Sequence, residues 1–135
     1  MKKILIAEDD FFIRDIYSKI FSLSNYEVHV AVDGADAVDK IKEQAQPFDM
    51  ILLDIMMPKK TGIEVLRDLR SLPEPAKNTP VFLITNLGQE GVIEEAFKMG
   101  MDGYIIKSQF NPQQIVNEID TFFKNKEAAT PPTTS

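Results

Sequence analysis

The sequence predicts an α/β protein built on one parallel, five-stranded sheet with helices on both faces. Three observations lead there. Five short apolar runs recur along the chain, each is followed by a segment of helical period, and the runs are continuously apolar instead of alternating. Continuous runs mark strands buried on both faces, and a βα repeat marks a parallel sheet. Crossovers in such a sheet are right-handed, and ligands bind beyond the carboxyl ends of its strands.

The elements follow in order. Ile4, Leu5, Ile6 and Ala7 make the first strand, and residues 11–23 a helix with Ile13, Ile16, Tyr17, Ile20 and Leu23 facing inward. Asp10 is placed to cap that helix. Residues 27–31 read as the second strand, Asp33 and Gly34 as a turn, and 35–45 as a helix with Val38, Ile41 and Ala45 inward. Residues 50–53 are the third strand. A loop with Pro58 and Gly62 leads to a helix carrying Ile63, Leu66 and Leu69. The stretch 72–80 holds three prolines and breaks the pattern, and 81–84 is the fourth strand. Residues 89–99 read as a helix with Val92, Ile93, Ala96 and Phe97 inward, stopped by Gly100. Tyr104, Ile105 and Ile106 form the fifth strand. Asn111, Pro112 and Gln114 supply cap, first position and third position of a last helix, with Ile115, Ile119, Phe122 and Phe123 inward. The expected domain spans residues 1–124, and 125–135 are expected to be a disordered tail ending in small, polar and proline residues. That tail is too short for an output domain, so the chain is expected either to work by docking or to belong to a longer chain cut at its linker.

Composition narrows the class. The 135 residues suffice for one unstapled core, and 44% hydrophobic with 27% charged content is ordinary for a globular domain. There are no cysteines, so disulfides and thiolate metal sites are excluded. No apolar run approaches the ~20 residues that span a bilayer. The formal charge is −6 and basic residues are not gathered, so no direct nucleic-acid contact is expected. A cytoplasmic protein fits these features.

The chemistry sits just past the strands. Glu8, Asp9 and Asp10 follow the first, Asp54 ends the third, Thr85 and Asn86 follow the fourth, and Lys107 follows the fifth. With strand order 2-1-3-4-5, Glu8, Asp9 and Asp54 meet on one rim. Carboxylates so close repel unless a cation bridges them or one is protonated. Hard oxygens suit Mg²⁺, and a lysine with a threonine hydroxyl completes a phosphate cradle. Asp54 is then a nucleophile toward a phosphoryl group. Such transfer needs mainly positioning and neutralised charge. The lone His29 lies within a strand and reads as structural, which argues against a phosphohistidine donor.

These residues resemble the receiver domain of bacterial two-component signalling over residues 2–124. The matching segments are Ile4 to Asp10, Leu53 to Pro58 with Thr61 and Gly62, Phe82 to Asn86, and Gly103 to Lys107. The resemblance implies a flavodoxin-like, doubly wound (βα)5 fold. It implies that Asp54 is the phosphoacceptor, that Asp9 ligates Mg²⁺ directly, Glu8 through water, and Met56 through its carbonyl. Thr85 would bind the phosphoryl oxygens and change rotamer, Lys107 would pair with the phosphoryl group, and Tyr104 would move inward with Thr85. The implied partners are a sensor histidine kinase or phosphotransfer protein, and a downstream protein reading the face of the fourth helix, fifth strand and fifth helix. The implied assembly is a monomer or weak homodimer.

Two positions depart from the family pattern. Ser108 stands where a proline usually follows the lysine through a cis peptide. A cis bond before a non-proline costs about 3–4 kcal/mol, so a trans bond is expected. Asn86 replaces the usual small residue and is expected either to narrow access to Asp54 or to contact the phosphoryl group. Phe11 and Phe12 are expected to pack against loops. Met56 and Leu87, both apolar, are expected to position hydrolytic water poorly. An Asp-nucleophile phosphohydrolase would need a second Asp where Met56 stands. A scaffold that binds without phosphorylation would have lost one of the acids, and none is lost.

Overall fold

A computed structural model describes residues 1–86 and 90–129. The order is β1 (Lys2–Ala7), α1 (Phe11–Leu23), β2 (Tyr26–Ala31), α2 (Gly34–Glu43), β3 (Met50–Asp54), α3 (Gly62–Arg70), β4 (Val81–Thr85), α4 (Glu90–Lys98), β5 (Gly103–Ile106) and α5 (Pro112–Ala129). All strand pairs are parallel, in the order β2-β1-β3-β4-β5. Both the fold class and the strand order agree with the sequence expectation.

Alternate residues of each strand enter opposite layers. Ile4, Ile6, Met50, Leu52, Phe82, Ile84 and Ile105 pack with Tyr17 and Phe21 of α1 and Ile115, Val116 and Ile119 of α5. Leu5, Ala7, Ile51, Leu53, Val81 and Leu83 pack with α2, α3 and Ala96 of α4. Each fully buried leucine or isoleucine contributes about 2 kcal/mol, so slipping β3 by one residue would exchange the contents of both layers. The register is therefore fixed, and with it the rim.

Caps set the helix starts. Asp10 accepts from the Ile13 amide (3.1 Å), Asp33 from the Asp36 amide (2.7 Å), and Thr61 with Glu64 forms a capping box. Asn111 and Gln114 exchange side-chain to backbone bonds of 2.8 Å, the capping box read from the sequence. Gly100 ends α4 with φ +80.

Several expectations need correction. Ile16 and Leu23 are exposed, because α1 buries the stripe through Ile13, Tyr17, Ile20 and Phe21, and the two stand beside it, about 100° and about 120° around the helix from the buried Tyr17. Ala45 lies past the end of α2 and is exposed. Phe97 is exposed, its ring edge-on to Tyr104 at 6.0 Å. Phe11 and Phe12 are 63% and 76% exposed and meet mainly each other, edge to face at 5.6 Å. The last helix does not stop at 124. It runs to Ala129, through good helix formers, with Lys126 over the Phe122 ring and Glu127 paired with Lys2 (3.6 Å). Residue 89 and residues 130–135 lie outside the described residues. The Lys107–Ser108 peptide is trans, as expected; among the described residues only Glu74–Pro75 is cis.

Arg70 closes the end of the sheet opposite the acidic rim. It donates to the carbonyls of Met99 (3.1 Å), Lys77 (2.9 Å), Thr79 (2.8 Å) and Gly100 (2.7 Å). Truncating it strands two partly buried acceptors, the carbonyls of Met99 and Thr79. Arg70→Ala should lower stability by about 2–3 kcal/mol, read as a lower urea midpoint at an unchanged slope.

Candidate functional site

The register determines what meets at the carboxyl rim. Ala7 lies beside Ala31 and Leu53, and Asp54 beside Ile84. Thr85 lies beside Ile106, one residue before Lys107. Each predicted residue thus leaves its strand at the same level. Gly62 lets α3 start against the end of β3: a Cβ there would sit 2.5 Å from the Asp54 carbonyl oxygen. The Gly62 amide donates to the Ile55 carbonyl at 2.9 Å.

Glu8, Asp9 and Asp54 come together, each offering a carboxylate oxygen within 4.8 Å of the others. Glu8 and Asp54 are buried and Asp9 is exposed. Lys107 lies across the cluster, its Nζ 2.7 Å from Asp54 Oδ2 and 2.9 Å from Glu8 Oε1. The other oxygens take main-chain donors: the Met56 amide donates to Asp54 Oδ1 and the Asp10 amide to Glu8 Oε2, both at 3.1 Å. The Met56 side chain is exposed. Thr85 is buried, and its hydroxyl donates to the Asn86 carbonyl at 2.9 Å. Tyr104 is 41% exposed and turned to Phe97, so it lies on the α4 side of the sheet and not at the rim. Leu87 lies outside the described residues.

The electrostatics follow from crowding. Burial pushes the Glu8 carboxyl up, Lys107 and the Asp10 amide pull it back, and the neighbouring Asp54 adds to the rise. Asp9 is also raised, by partial burial and by Glu8. Burial pulls Lys107 down, but its bonds to Asp54 and Glu8 outweigh this, and its pKa is raised. The lysine is therefore a fixed cation. A single charge does not balance three carboxylates. The donor set, three hard oxygens at one rim, fits a small divalent cation.

His29 lies in β2, 2.7 Å from Glu27 and edge-on to Phe48, which is a structural setting. Sequence reasoning missed Arg14. Its guanidinium donates to the main-chain oxygens of Glu8 (2.8 Å) and Asp9 (3.3 Å). Contacts to carbonyls leave no pattern of residue types; the only signal is an arginine in the first turns of the helix that follows the acidic run.

Comparison with known proteins agrees with this geometry. The profile of the response regulator receiver domain matches residues 4–120. The chain is 34% identical over 122 residues to the transcriptional regulatory protein ResD of Bacillus subtilis, covering 90% of this chain and 48% of ResD. It is 34% identical over 106 residues to the chemotaxis protein CheY of Treponema pallidum, covering 78% of this chain and 72% of that one. The chain thus spans about half the length of the transcriptional regulators that it matches. Among solved structures, a CheY-like receiver domain protein from Methanospirillum hungatei superposes with TM-score 0.84 at 26% identity, covering 96% of this chain and 99% of that one. Chemotaxis protein CheY4 of Vibrio cholerae superposes with TM-score 0.79 at 29% identity, covering 90% and 98%. The chain belongs to the response regulator receiver domain family, the switch module of two-component signalling.

Proposed function

We propose that this receiver takes a phosphoryl group on Asp54, with Mg²⁺ at Glu8, Asp9, Asp54 and the Met56 carbonyl. The observation that carries the proposal is the buried Asp54 carboxylate, held by Lys107 at 2.7 Å beside two further acids. The donor is a phosphohistidine on a sensor kinase or phosphotransfer protein. An Asp54 oxygen forms a bond to phosphorus, the donor's P–N bond breaks, and its electron pair leaves with the imidazole nitrogen. Bound Mg²⁺ supplies charge neutralisation for the phosphoryl oxygens. Lys107 contributes the fixed positive charge, and the Met56 amide orients the attacking carboxylate through Oδ1. Thr85 meets the phosphoryl oxygens by changing rotamer, Tyr104 follows inward from its outer position, and the α4–β5–α5 face changes for a downstream protein. The domain is a switch that assists its own phosphorylation and dephosphorylation, not an enzyme with a separate substrate. It works in the cytoplasm as a monomer or weak homodimer, and the receiver itself does not contact nucleic acid. Among the described residues, no helix is long and apolar enough to cross a membrane.

Four outcomes test this reading. Incubation with acetyl phosphate and Mg²⁺ should add one phosphoryl mass to the intact wild type and none to Asp54→Ala; an undiminished adduct on the variant would sink the proposal. Mg²⁺ at ten times its Kd should stabilise the wild type by about 1.4 kcal/mol. Glu8 supplies the pH test. Its raised pKa means that its contribution to stability is full below the usual value of 4.5 and is lost as pH rises through the folded value. Glu8→Gln should therefore unfold at higher denaturant than the wild type at pH 7 without metal, yet gain less from Mg²⁺. The apolar pair Met56 and Leu87 should give a long-lived phosphoryl-Asp54. Replacing both with polar residues should speed its loss, measured as decay of the adduct after the donor is removed.

A further inference from the structure

We propose that Arg14 is a positioning residue for this site, clamping the main chain that carries Glu8 and Asp9. The inference rests on the reading of Glu8, Asp9 and Asp54 as the Mg²⁺-assisted acceptor site. The loop between β1 and α1 has two anchors of its own. The Glu8 amide donates to the Ala31 carbonyl (3.1 Å), the last tie to the sheet, and Asp10 caps α1. Between these anchors, one terminal nitrogen of Arg14 binds the carbonyls of Glu8 at 2.8 Å and Asp9 at 3.3 Å. Arg14 is held in turn by its own helix, with its amide on the Asp10 carbonyl at 2.9 Å. Its guanidinium also lies over the Phe11 ring, 5.7 Å from the centroid.

The position of the charge gives the clamp its purpose. Mutual repulsion of Glu8, Asp9 and Asp54 works to spread this loop away from β3. Arg14 opposes that from the main-chain side. Both of its contacts are to carbonyls, so it occupies none of the carboxylate oxygens that a cation would use. Lys107 neutralises the cluster from the opposite direction, by engaging the carboxylates themselves. Of these two cations, the arginine alone shapes the site without competing for it. A lysine at this position offers a compact, strongly hydrated point charge on a different stem, so it holds the two carbonyls less firmly.

The test compares the wild-type chain with Arg14→Ala and Arg14→Lys. Mg²⁺ affinity is read by calorimetry, backbone order of the metal-free proteins by ¹⁵N relaxation, and folding by urea midpoint. Arg14→Ala should weaken Mg²⁺ binding about tenfold, the usual effect of removing an outer partner of metal ligands, with Arg14→Lys in between. Amide order should fall at Asp9 and Asp10 in both variants, while the amides of β3 and α5 keep theirs. That local pattern is one that a general loss of stability would not produce. Wild-type affinity in a folded Arg14→Ala overturns the proposal. Should that variant not fold, wild-type affinity in Arg14→Lys overturns it equally. If the wild type itself binds no Mg²⁺, the reading of the acceptor site fails and this inference fails with it; the two failures are told apart by which protein loses affinity.

Discussion

Three carboxylates share one rim with a single lysine, and the rest of the structure is arranged to hold them there. Glu8 and Asp54 are buried, so their mutual repulsion is poorly screened, and Lys107 at 2.7 and 2.9 Å relieves only part of it. The remaining negative charge is what makes the site receptive to a divalent cation. Burial, and after it the neighbouring carboxylates, raise the pKa of Glu8 and Asp9. Stability at this rim is given up for binding, a common arrangement at functional sites.

Such a cluster persists only on a rigid frame. The frame is the register of five parallel strands, in which Leu52, Leu53 and Leu83 are fully buried. Because side chains alternate between two separate layers, the register cannot drift by one residue without turning both cores inside out. The helix caps extend the constraint outward. Asp10 starts α1 and Thr61 with Glu64 starts α3, so the two loops flanking Asp54 are each pinned one turn from the rim. The opposite end is closed by Arg70, which ties the α3–β4 connection to the end of α4. The site is accordingly fixed from β1 and β3. The aromatic pair Phe97 and Tyr104 lies exposed on the α4 side, where rearrangement disturbs little of the core.

Much of this was legible in the residues alone. A parallel sheet delivers its strand ends to one edge, so acids and a lysine placed just past apolar runs had to converge; Glu8, Asp9, Asp54 and Lys107 do. The trans peptide before Ser108 followed from the cost of the alternative. The width of a helix's buried stripe was not legible, and Ile16, Leu23 and Phe97 were assigned inward although each lies beside the stripe rather than on it. Nor was the end of α5 legible, since Ala128 and its neighbours continue a helix as readily as they begin a tail. Arg14 escaped notice because a contact to main-chain oxygens depends on backbone path, which residue types do not report.

The central claim is that Asp54, and not one of the acids beside it, bonds to phosphorus. Borohydride reduces an acyl phosphate and leaves homoserine at the modified aspartate. The phosphorylated wild-type protein, treated in this way and mapped by peptide mass, should carry homoserine at position 54 and unmodified residues at positions 8, 9 and 10. Homoserine at position 9, or no reduced residue in a protein that bears the phosphoryl mass, would contradict the account.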